Sequence, residues 1–157
     1  MPVDSSSTFD TREILIRLGF AAVCGLLLGL DRELRGISAG LRTHALVSVS
    51  SSVITVSALD LYMEVRAHGG DADPLRVIQG LAQAIGFIAA GAIFVAGGTV
   101  RNLTTAANVW LATAVGISAG AGQFTLAGIA TIFGIVIVTV VRIVERLLPR
   151  GSDESDK

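Results

Sequence analysis

Long apolar runs alternate with short polar ones along this chain. From Val77 to Val141 one charged residue, Arg101, interrupts Leu, Ile, Val, Ala, Gly and a few hydroxyl side chains, a composition that a water-facing surface of that length does not carry. The hydrocarbon core of a bilayer is about 30 Å thick and takes about 20 apolar residues to cross as a helix. Val77 to Val100 therefore supplies one span, and Asn102 to Val141 supplies two. Two more lie upstream. Ile14 to Leu30 is apolar but for Arg17, and Ala45 to Leu61 is apolar but for Asp60. Each charge sits near an end, where the long arginine stem can snorkel to the headgroups. The pattern predicts an all-α polytopic membrane protein, a bundle of five transmembrane helices at 13–31, 44–63, 75–96, 104–121 and 123–146. They form a membrane domain of residues 12–148, between a disordered segment at 1–11 and a disordered cytoplasmic tail at 149–157.

Turn signals fall between the spans: Ser38-Ala39-Gly40, the polar Glu64 to Asp73 stretch, Ala96-Gly97-Gly98, and Gly120-Ala121-Gly122-Gln123. Asp73-Pro74 suits a helix start, with Asp as N-cap and Pro in the first helical position. Basic residues choose the orientation, because short inner loops accumulate Lys and Arg. With the amino terminus outside, the inner segments hold Arg32, Arg35, Arg42, Arg101, Arg142, Arg146, Arg150 and Lys157, against Arg12, Arg17, Arg66 and Arg76 outside. The first span is expected to stay in the mature chain, since acidic residues precede it and it ends in Asp31-Arg32-Glu33-Leu34-Arg35 rather than a small-residue cleavage site.

Composition adds mainly exclusions. A net charge of −1 averages loops on two sides of a membrane and says little about partners. The single cysteine, Cys24, lies inside span one and reads as a small buried apolar residue. Zinc spacing, P-loop, dinucleotide fingerprint and nucleophile elbow are all absent from the sequence, so neither an enzyme nor a cofactor is expected, and no nucleic acid. Metal binding stays open, with one physical objection to a midplane magnesium site. Mg²⁺ binds through carboxylates, yet no Asp or Glu occurs from Val77 to Val141, and Asp31, Glu33 and Asp60 fall at span ends.

Small residues mark the helix seams. Gly25 and Gly29 share a face of span one; Ala82, Gly86 and Ala90 recur every four residues in span three, and Ala112, Gly116 and Gly120 do so in span four. These are packing seams within one subunit or, alternatively, the seam of a homodimer. A shift of 62 residues aligns Gly29 with Gly91, Gly36 with Gly98, Leu41 with Leu103, Thr43 with Thr105 and Ala45 with Ala107, the trace of a parallel internal repeat.

Two clusters on the inner side carry candidate chemistry. The first is Asp31, Arg32, Glu33 and Arg35 followed by Arg42, Thr43 and His44; the second is Arg101, Thr104, Thr105 and Asn108 at the start of span four. Anchoring charge explains part of the first, helix capping explains the threonines, and His44 reads as a local hydrogen bonder before a metal ligand. Asn108 needs an interhelical partner, because an amide inside hydrocarbon is costly alone. Arg42 and Arg101 are expected beside Asp31 or Glu33, joining the clusters into one site; the alternative is two independent anchoring loops.

The same segments carry a family resemblance. Gly25-x-x-x-Gly29-Leu30-Asp31-Arg32-Glu33, Ala39-Gly40-Leu41-Arg42-Thr43-His44-x-Leu46-Val47, Asp73-Pro74-x-Arg76, Ile85-Gly86-Phe87-x-x-Ala90-Gly91 and Val100-Arg101-x-Leu103-Thr104-Thr105-Ala106-Ala107-x-x-Trp110 resemble the MgtC/SapB family of bacterial inner-membrane proteins. The resemblance runs from about Leu18 to Ala127, with Asp31 in place of the family's usual Glu and with Ala84, Ala89 and Asn102 in place of glycines. It implies a multi-pass inner-membrane protein, of a short form without the soluble carboxyl-terminal domain of longer members. It also implies a role in adaptation to low magnesium and, in pathogens, in survival inside macrophages. The reading is a regulator acting through helix packing with the bilayer and a membrane partner, such as the ATP synthase described for the family. The alternative is a small-solute or ion transporter or channel, as a homodimer, in which guanidinium groups near helix ends hold a phosphate or carboxylate.

Overall fold

The computed structural model describes residues 8–147. Five helices follow one another: α1 (Thr11–Glu33), α2 (Leu41–Ala67), α3 (Leu75–Gly91), α4 (Leu103–Gly120) and α5 (Phe124–Leu147), with strands β1 (Phe94–Ala96) and β2 (Thr99–Arg101) between α3 and α4. α1, α2 and α5, the last over Phe124–Glu145, are long and apolar enough to cross a membrane. α3 has 17 residues, about 25 Å of helix, and is shorter than the hydrocarbon thickness.

α4 packs against all four other helices. Its Ala112, Val115 and Ala119 are fully buried and meet Ala21, Cys24 and Leu28 of α1 and Ala127 of α5 in the apolar core. α2 lies against α1 on one side and α4 on the other, and glycines set the spacing on both. A Cβ at Gly25 would stand 2.6 Å from the His44 carbonyl oxygen and one at Gly29 2.7 Å from that of Gly40. On the other side, a Cβ at Gly120 would stand 2.6 Å from the Ser52 carbonyl oxygen, and one at Gly116 would run into the Ser48 carbonyl and lie 2.8 Å from Ser51 Cβ. No side chain fits at such distances, so backbone meets backbone. The facing stripe of α2 is small and polar, with His44, Ser48, Ser51, Ser52 and Thr55 all buried. Ser51 and Thr55 return their hydroxyls to the carbonyls of Val47 and Ser51, at 2.7 and 2.8 Å, which keeps them tolerable in an apolar setting.

Three features depart from the sequence reading. The third helix ends at Gly91 rather than near residue 96, and the chain then turns back in a hairpin pairing Phe94 with Arg101, Val95 with Val100 and Ala96 with Thr99. Gly97 and Gly98, at φ 59° and 75°, form its turn, since both central positions of such a tight hairpin need positive φ. Aromatic and β-branched residues flanking a Gly-Gly pair favour a hairpin over a continued helix. Second, Arg17 does not snorkel outward. It is 8% exposed, donates to the Gly120 carbonyl at 2.5 Å, pairs with Glu13 and lies 4.2 Å from the Phe9 ring centroid. A guanidinium there satisfies a carbonyl at the C-terminal end of α4, where the helix dipole favours positive charge. Third, residues 8–11 are built into the fold: Thr8 N donates to Asp60 at 2.6 Å, Phe9 is buried, and α1 begins at Thr11. The rest of the expected disorder, at 1–7 and 149–157, lies outside the described residues.

Candidate functional site

At the end of the bundle where α1 stops and α2 and α4 start, charged side chains bond into the backbone. Glu33 reaches across the α1–α2 turn and accepts from Leu41 N at 3.1 Å, which satisfies the first free amide of α2 with a negative charge. Gly40 makes the room, because a Cβ there would collide with that carboxylate. Arg32, 3% exposed, donates to the carbonyls of Ser38 and Ala39 at 3.0 and 3.1 Å and to the Thr105 hydroxyl of α4. One turn beyond Thr105 in α4, Asn108 Nδ2 donates to the Leu28 carbonyl of α1 at 3.4 Å, the interhelical partner that a buried amide requires. The first and second sequence clusters thus meet through Arg32–Thr105, and Asn108 adds a bond to α1 at Leu28.

The ion pairs are not those anticipated. Asp31 accepts two hydrogen bonds from Arg142 of α5, at 3.1 and 2.9 Å, and one from Arg35 Nε at 2.6 Å. Arg42 and Thr43 are exposed on the first turn of α2 and Arg101 is exposed on β2; among the described residues neither arginine pairs with an acid. The hairpin is the reason, since it holds Arg101 on a strand pair outside the α4 start. His44 is fully buried and donates from Nδ1 to the Gly40 carbonyl at 2.9 Å, a local bond one helical turn back. Of the expected packing residues, Gly25, Gly29, Gly116 and Gly120 sit at backbone contacts. Gly86 only faces the Trp110 ring, at 3.4 Å for a built Cβ, and Ala90 is exposed on α3.

A cleft of about 520 Å³ opens between these elements. Arg32, Asn102, Thr104, Thr105, Arg142 and Glu145 give it polar walls, and Ile37, Val100, Leu103, Ile137, Val138 and Val141 give it apolar ones. Arg142 was absent from the sequence-based candidates. It reads there as one more anchoring charge, and nothing in a stretch 111 residues beyond Asp31 signals their contact. Among the described residues, no three His, Cys, Asp or Glu side chains gather as a metal cage.

The MgtC family model matches residues 18–147, which takes in every element of this site. The chain belongs to the MgtC family. Relatives within reach of it include the Putative magnesium transporter YhiD of Escherichia coli K12, 33% identical over 132 residues, covering 83% of this chain and 61% of that protein. Protein MgtC of Brucella abortus strain 2308 is 38% identical over 125 residues, 80% of this chain and 50% of its own length. Protein SapB of Bacillus subtilis 168 is 31% identical over 147 residues, 92% and 63%. The chain therefore spans between half and just under two thirds of these MgtC-family relatives. No solved structure matches it.

Proposed function

We propose that this MgtC-family chain is a five-span inner-membrane protein, amino terminus outside and carboxyl terminus inside. It would act without catalysis, as a regulator that packs against a membrane partner during adaptation to low magnesium and intracellular survival. The observation that carries this reading is the backbone-to-backbone clamp on α2. Helices joined through Gly25, Gly29, Gly116 and Gly120 have little freedom to rock against one another, as alternating access demands. Such a core suits a rigid scaffold. α3, in contrast, meets α4 without a backbone clamp: Gly86 faces the Trp110 ring, Ile85 and Ala89 are buried, and Phe87 is left 84% exposed.

The cleft favours a second reading, a transporter for a small anion, with Arg32 and Arg142 at its inner mouth. Proteoliposomes loaded in turn with magnesium, phosphate and a proton-sensitive dye separate the two. The regulator predicts no flux above protein-free vesicles for any of the three. Saturable flux of one of them, lost on removing the protein, would replace it with the transporter.

A further inference from the structure

The starts of α2 and α4 occupy equivalent places in the chain, Leu41 and Leu103 lying 62 residues apart, the same offset that aligns the two halves. Their electrostatics differ. The first amide of α2 receives the Glu33 carboxylate, an anion built into the protein. The equivalent position before α4 is Val95, which has no charge to offer. Asn102, the residue preceding α4, has left-handed backbone at φ 67° and makes no side-chain cap; its amide nitrogen turns instead to the Ala92 carbonyl at 3.1 Å. The leading amides of an eighteen-residue helix are thus left without a protein anion among the described residues, and the residues carrying them, Leu103, Thr104 and Thr105, line the cleft.

A second observation points the same way. Arg32 is 97% covered yet has no carboxylate within ion-pair distance among the described residues. Its bonds run to two carbonyls and a hydroxyl, and the one acid beside it, Asp31, is shared between Arg35 and Arg142. A buried guanidinium without its own counterion is costly, and it faces a cleft of about 520 Å³, within the about 300–1,000 Å³ range of ligand sites. The lining includes one carboxylate, Glu145, an exposed side chain near the end of α5.

We propose that this cleft binds a phosphate-bearing anion, held by Arg32 and Arg142 and by the amides and hydroxyls of Thr104 and Thr105, in the role that Glu33 plays for α2. Phosphate suits the donor set because its several oxygens can meet a planar guanidinium and a helix start together. The apolar wall of Val100, Leu103, Ile137 and Val141 suits the acyl chains of an anionic phospholipid; free inorganic phosphate shares the headgroup chemistry without them. The site does not depend on whether the chain regulates or transports.

The test is thermal unfolding and native mass spectrometry of the full chain in an uncharged detergent, titrated with phosphatidylglycerol, phosphatidylcholine or inorganic phosphate. Stabilisation and one-to-one retention with phosphatidylglycerol but not phosphatidylcholine supports the site with lipid as its source. The same response to millimolar phosphate alone supports it with a free ligand. Affinity should fall at least tenfold in Arg142→Gln and in Arg32→Gln, and should hold in Arg76→Gln, which alters an exposed arginine on α3. Should Arg32→Gln fail to fold, Arg142→Gln and Thr104→Ala carry the comparison. No response to phosphatidylglycerol or phosphate, an equal response to both phospholipids, or undiminished binding in the cleft variants would overturn the proposal.

Discussion

Gly116→Leu is expected to be the most damaging single substitution in this protein. A Cβ at that position already runs into the Ser48 carbonyl and stands 2.8 Å from Ser51 Cβ, so a leucine must push α2 and α4 apart along the whole seam. Overpacking costs typically about 1–3 kcal/mol and occasionally more, and obstruction by backbone rather than by a yielding side chain belongs at the upper end or above. Gly86→Leu provides the contrast. Its Cβ meets only the Trp110 ring, at an ordinary 3.4 Å, on a half-exposed helix, and its cost should stay under about 1 kcal/mol. Denaturant unfolding in detergent measures both. Similar losses for the two variants would mean that the glycine faces do not set the helix spacing.

Arg32→Gln is the second large effect. The guanidinium ties the α1–α2 turn to α4 through the Ser38 and Ala39 carbonyls and the Thr105 hydroxyl, and glutamine is too short to hold all three. Hydrogen bonds from a charged group contribute about 1.5–3 kcal/mol each, so the loss should be about 3 kcal/mol or more. Arg101→Gln removes an exposed charge on β2 and should cost under about 0.5 kcal/mol. Unfolding midpoints of the two variants, compared at equal protein and detergent concentration, check the difference. Equal and small losses would show that Arg32 does not knit the turn to α4.

The helices were legible because apolar runs of a length that spans hydrocarbon are hard to mistake, though α2 runs Leu41–Ala67 where 44–63 was expected, since its polar first and last turns carry no apolar signal. Glycines four apart marked the contact faces of α1 and α4 for the same reason that those faces work: only a residue without a side chain lets helix backbones touch. The same rule over-reached at Gly86 and Ala90, since spacing alone does not say whether a partner helix stands opposite. The hairpin at Phe94–Arg101 left a signal in its Gly-Gly pair between aromatic and β-branched residues, but the length of the apolar run outweighed it, because a short apolar run reads alike as helix or buried strand. That ambiguity also carried Arg101 into the site. Arg17 and Arg142 were read as anchors, their default in a membrane chain, whereas contacts across 103 and 111 residues of sequence decide where they point. Asn108 stood out beforehand as an amide inside a span that had to find a partner, and it bonds to Leu28 of α1. Thr105 reads as a helix cap, yet its hydroxyl takes the Arg32 guanidinium instead.

The central claim is that α1 and α5 are joined at this end through Asp31 and Arg142, next to the cleft, and a double-mutant cycle on Asp31 and Arg142 addresses it most directly. Asp31→Asn and Arg142→Gln, singly and together, should show a coupling of about 1 kcal/mol, because the side chains meet through two hydrogen bonds and are about a quarter exposed. The parallel cycle of Asp31→Asn with Arg101→Gln should be additive within about 0.3–0.5 kcal/mol. Additivity for Arg142 together with clear coupling for Arg101 would contradict the arrangement and return Arg101 to the site.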